Sequence, residues 1–177
     1  MLLVERTVVG AIAFDRLARD GVIHEVLGAW ALPADIPSTR ALRAHLVRDL
    51  VPRHAWLTGL AALWLEGYAR APRMLDVVAA RGAHRAIPVP GSPPVRLHAG
   101  SLLGVPDAGS PRVVGLARAC VDALWHSPTA SALPAVASAL RGGETSAREV
   151  RGLATTCDVR TRGRARVLSL VEALEGL

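Results

Sequence analysis

The strongest constraint on how this chain can fold is the punctuation of one stretch, Arg16 to Trp64, by glycine and proline. Gly21 follows a weakly helical run over 8–20 in which Phe14, Leu17 and Ala18 share one side and Arg16 and Arg19 the other. A glycine at that place is a helix stop, because it takes the left-handed conformation that closes the last turn. The pieces GVIHEV and AWAL then alternate as strands do, with Leu27–Gly28 at the turn, and Pro33 and Pro37 close off further pairing. Two helices are expected next. Ser38 or Thr39 caps the first, whose Leu42, Leu46, Val47 and Leu50 form one buried stripe. The second covers about 56–65 on Leu57, Leu60, Ala61 and Trp64.

A helix followed at once by a hairpin is the back half of a winged helix, a unit shaped to lie on duplex DNA. On that reading Arg16, Arg19 and His24 are the candidate DNA contacts, from the reading helix and the wing. The competing reading is an ordinary amphipathic helix packed on its neighbour. Beyond residue 70 the texture changes. Prolines at 72, 88, 90, 93, 94, 106 and 111 break the chain into short β-like pieces, MLDVVAA, HRAIPV and PVRLHA, which predict a small irregular sheet. From 113 the helical period returns in four segments. Ser146 and Glu149 have the spacing of a capping box, and GlyGly at 142–143 ends the segment before them. The expected architecture is α+β and mainly helical: a partial winged helix over 1–70, then a small irregular sheet packed with four helices over 71–177.

Composition narrows the chemistry. All 21 basic residues are Arg, against 15 acids, for a net charge of +6. GC-rich coding accounts for the missing Lys but not for the excess of base over acid. Such a field attracts phosphate backbones or an acidic partner. Four arginines, Arg160, Arg162, Arg164 and Arg166, fall within DVRTRGRARV and are candidate phosphate or carboxylate contacts, the alternative being a solvated loop and helix start. His45, His54, His84, His98 and His126 lack ligand spacing, so no metal or other cofactor is expected. Arg118 and Asp122, four apart on one helix, read as a structural ion pair or loop cap. Nucleotide-loop, metalloprotease and nucleophile-elbow motifs are absent, and with aromatics at 3% base-stacking readers are disfavoured; an enzyme is not expected. Two cysteines without CxxC spacing, a start with charges after three apolar residues, and apolar runs too short for a bilayer lead us to expect a cytoplasmic protein.

These elements, in this order, resemble the AbiEi-type antitoxins of bacterial type IV toxin–antitoxin (abortive infection) systems, especially their actinobacterial branch. GVIHEVLGAWALP is similar to that family's G-x-x-x-R-V-x-x-G-V-Y hairpin, with Trp30 at the Tyr position. HAWLTGLAALWLEG resembles its S-H-x-T-A-A-x-L-W-G-L helix, with His54 and Trp64 in register. VVGLARACVDALW is similar to its T-S-x-A-R-T-x-x-D-L-A segment, with Arg118 and Asp122 in place. The resemblance implies a repressor that binds inverted repeats in its own promoter and counteracts a nucleotidyltransferase-like toxin. It departs in two respects: the two helices that precede the reading helix in the family have at most ten residues to occupy here, and the family's further nuclease-like domain has no counterpart. The alternative expectation is a protein-interaction module that has lost DNA binding and turns its arginines toward an acidic protein.

Overall fold

The computed structural model describes residues 3–82, 93–102, 105–106, 111–156 and 161–175, with the side chains of 161 and 162 outside the description. Its first break is made by Gly10. With φ at +84°, a region open to glycine, Gly10 splits the expected 8–20 helix into a single turn, α1 (Arg6–Val9), and α2 (Ala11–Arg19). A two-residue strand, β1 (Val4–Glu5), precedes them; it is too short to show any period in the sequence. After α2 come β2 (Ile23–Leu27) and β3 (Trp30–Pro33), antiparallel across the Gly28–Ala29 turn, with a register shift between Glu25 and Leu27 that marks a bulge. β1 pairs with the other edge of β3, giving the order β1–β3–β2. The helix–turn–helix and hairpin expected here are therefore present in a compressed form, with one turn of helix before the reading helix.

The first sheet is buried on both faces. Ile23, Ala31 and Val4 pack on Phe14, Leu17 and Ala18 of α2. On the opposite face Val26 and Leu32 meet Leu42 and Leu46 of α3 (Arg40–Val47). Thr39 is the cap of α3, its Oγ1 accepting from the Leu42 N–H at 3.2 Å. The helix expected over 56–65 starts later. Residues Ala55–Leu57 are a strand, β4, and α4 (Gly59–Glu66) follows it. Pairing overrides local preference here, since Leu57 donates to the Arg112 carbonyl at 2.8 Å and accepts from the Val114 N–H at 3.0 Å. β4 is antiparallel to β5 (Leu75–Ala79), and β5 is parallel to β6 (Val95–Ala99). The expected strand piece HRAIPV lies outside the described residues. The compositional boundary at 70 falls between β4 and β5, so the second sheet draws its edge strand from the first half of the chain.

Four helices, α5 (Leu116–His126), α6 (Thr129–Gly142), α7 (Ala147–Thr156) and α8 (Thr161–Glu175), pack with α4 and Val78 into the largest core. α4 is apolar all round and lies inside the molecule, as such a helix must. Gly59 brings it close to α5: an added Cβ would stand 3.7 Å from the Ala123 nitrogen. The Ser146–Glu149 capping box is formed, with the Ser146 N–H donating to Glu149 Oε2 at 2.8 Å and the Glu149 N–H to Ser146 Oγ at 3.2 Å. The chain is thus α+β and mainly helical. Its hairpin is not a free wing. Leu27 is fully buried in the core of the second sheet, and a Cβ on Gly28 would lie 3.3 Å from Pro93, so the turn is seated on the lead-in to β6.

Candidate functional site

Two places collect chemistry. The first is the outer surface of α2. With Phe14 buried, the helical period turns Ile12, Arg16 and Arg19 outward on one stripe. Ile12 is 88% exposed and Val8, on α1, 78%. Arg16 is held loosely to Asp20 at 3.6 Å, while Arg6 donates to Asp15 at 2.8 Å and lies over the Phe14 ring. Large apolar side chains in water beside arginines define a surface awaiting contact.

The other sequence candidates are not gathered there. His24 pairs with Leu32, whose side chain faces α3, so the first sheet stands between His24 and the α2 stripe. Arg160 and the side chain of Arg162 lie outside the described residues. Arg162, Arg164 and Arg166 belong to α8 rather than to a loop, and alternate helical residues point about 200° apart, so they cannot form one row. Arg164 is half-buried, and Arg166 donates to Thr129 Oγ1 at 2.8 Å, bracing the start of α6.

The second place is a buried polar network that the sequence did not single out. Asp76 sits in β5, a strand otherwise apolar and wholly buried, and the parallel register sets Arg96 beside it and His98 two residues on. Asp76 Oδ1 accepts from Arg96 Nε at 2.6 Å and from His98 Nε2 at 2.8 Å, and Oδ2 from the Arg96 NH2 at 3.1 Å. Burial pushes this carboxyl up, but the bonds and charges of His98 and Arg96 outweigh it and hold it below its usual range. The His126 ring stacks on His98 with centroids 3.8 Å apart and on Trp125 at 4.7 Å. Burial, then the neighbouring His98, lowers the His126 imidazole to about 4, so it is neutral at pH 7.

Arg118 and Asp122 form the expected ion pair, at 2.9 Å and almost fully buried, and it does more than brace its own helix. Arg118 donates to the Ser101 carbonyl at 3.1 Å, and Thr58 Oγ1 donates to Asp122 Oδ2 at 2.5 Å, tying α5 to the start of α4. Both donors to Asp122 use Oδ2; Oδ1 is buried and takes no hydrogen bond from the protein. A cleft of about 590 Å³ opens over this network, lined by Asp122, Arg118, His98, His126, Trp125 and Arg81, among others. One signal could have pointed here: a single Asp inside LDVVA, a buried-strand pattern with a charge that needs partners. Among the described residues no cluster of three or more His, Cys, Asp or Glu is placed to hold a metal ion. No helix there is long and apolar enough to cross a membrane.

No known family model matches this chain, and no curated protein does. Among solved structures it is similar to the Rv2827c protein from Mycobacterium tuberculosis, at 16% identity and a TM-score of 0.48, over 98% of this chain and 72% of that one.

Proposed function

We propose that this chain is a duplex-DNA-binding regulator of the AbiEi antitoxin type, reading promoter repeats with α2 and acting against a nucleotidyltransferase-like toxin. The outward stripe of Ile12, Arg16 and Arg19 carries the reading. A nine-residue helix is about 13 Å long, enough to lie in a major groove about 12 Å wide. There Arg16 and Arg19 supply bidentate donors for phosphates or guanine edges, and Ile12 an apolar contact for a thymine methyl. The excess of 21 bases over 15 acids adds the long-range attraction. His24, behind the sheet, has no part in this surface.

The test is a fluorescence-anisotropy titration with its promoter and with random duplex, at about 50 and about 200 mM salt. Binding is expected at the lower salt and falls steeply at the higher. Arg16→Ala with Arg19→Ala weakens it about tenfold or more without changing the melting temperature, since both side chains are solvated. No binding to either duplex at low salt overturns the reading.

One observation favours a second reading. The hairpin tip rests on Pro93, and the stripe carries exposed Ile12 beside Val8, as a protein-docking face would. Ile12→Arg separates the two: it spares or raises non-specific DNA affinity but abolishes capture of a protein partner.

A further inference from the structure

We infer that the cleft over Asp122 is a binding site for a mononucleotide, with a base N–H donating to Asp122 Oδ1 and the phosphate drawn to the Arg81 side of the opening. The inference is independent of the DNA-binding reading, which concerns the opposite end of the chain's element order.

Three observations converge. The first is the oxygen itself. Asp122 is 1% exposed, yet both of its bonds, from Thr58 and Arg118, fall on Oδ2. A buried carboxylate oxygen without a donor is costly, and it lies on a residue that lines the cleft. It calls for a ligand bearing an N–H or O–H. A metal ion fits poorly, since no second carboxylate or imidazole is grouped with it for coordination among the described residues. The second is charge. The lining holds Arg81 and Arg118 against Asp122 alone; Arg118 cancels Asp122, and exposed Arg81 leaves the opening positive. The ligand is therefore anionic. The third is shape. The stacked rings of His98, His126 and Trp125, with Val78 and Leu97, make a flat apolar wall in a cavity of about 590 Å³. That volume is within the range of small-molecule sites, roughly 300–1,000 Å³. A bare phosphate has no planar part for the wall, and a nucleoside has no anion for Arg81. A mononucleotide supplies donor, anion and plane together.

The experiment is calorimetric titration of the full chain with each of the four ribonucleoside 5′-monophosphates. Inorganic phosphate, ribose 5-phosphate and the parent nucleosides serve as partial probes. At least one nucleotide binds at least about tenfold more tightly than any partial probe, because each probe lacks one of the three matching features. Asp122→Asn presents an amide where the acceptor stood and weakens the nucleotide about tenfold or more. Because that change also leaves Arg118 short of its partner, Arg81→Gln, at an exposed position, is the second variant. It weakens the nucleotide about fivefold and leaves the nucleoside unaffected. A 5′-phosphorylated oligonucleotide that binds more tightly, with the same loss in both variants, identifies a chain end as the source of the nucleotide in the same cleft. No heat from any nucleotide at millimolar concentration overturns the inference. So does inorganic phosphate binding as tightly as the nucleotides, or unchanged nucleotide affinity in a folded Arg81→Gln.

Discussion

His126 shows what burial does to a single side chain in this protein. Its imidazole, stacked between His98 and Trp125 and near Asp122, Asp76 and Arg96, is depressed from 6.5 to about 4. Between those two values the unfolded chain binds a proton that the folded chain refuses, so stability is full above about pH 6.5 and is lost as the pH falls toward 4. The depressed carboxyl of Asp76 acts with the same sign further down, as its salt bridge is protonated. Thermal melts are expected to show the midpoint falling steadily from pH 7 to pH 4.5, and His126→Gln should flatten that slope. A wild-type slope in the variant would exclude His126 as its source. None of this stacking was visible in the sequence. His98 and His126 are 28 residues apart and belong to a strand and a helix, so only the packing of α5 on β6 brings them together. Arg118 and Asp122, four apart on one helix, were legible because their contact is local.

Elements behaved in the same way. Helices α3 and α7 announce themselves through caps that act within three residues, Thr39 with Leu42 and Ser146 with Glu149. β4 did not, because its ladder partners lie near residues 78 and 113, far along the chain. The α2 boundary was blurred for a different reason: Gly10 was read as part of a run whose period continues across it. Docking of α8 gives an element-scale prediction. An added Cβ at Gly163 would stand 2.5 Å from Trp125 Nε1, so the helix can sit where it does only with glycine at that point. Gly163→Ala gains about 1 kcal/mol of helix propensity but meets overpacking of about 1–3 kcal/mol. Chemical denaturation should therefore show net destabilisation, together with a shift in tryptophan emission as Trp125 is displaced. A stabilised variant with unchanged emission would mean that the ring moves aside freely.

At the scale of the whole molecule, two small sheets share one body. Leu27 leaves the hairpin to join Leu57, Leu65 and Val77, while Gly28 rests on Pro93. The unit carrying α2 is therefore seated on the rest of the chain rather than tethered to it. Leu27→Ala should cost about 2–5 kcal/mol and lower the stability of both sheets together, with far-UV dichroism and tryptophan fluorescence giving coincident transitions. Two separated transitions in the wild-type protein would refute this coupling. The mainly helical α+β character, the order of helix, hairpin and helices, and the basic surplus followed from residues acting on near neighbours and from composition, both of which a linear string records. Which face His24 occupies, how the α8 arginines diverge, and how Asp76, His98, Asp122 and His126 come to line one cleft were decided by tertiary structure. A strand's partner and a buried charge's counter-ion are set by contacts between distant segments, and no local period encodes them.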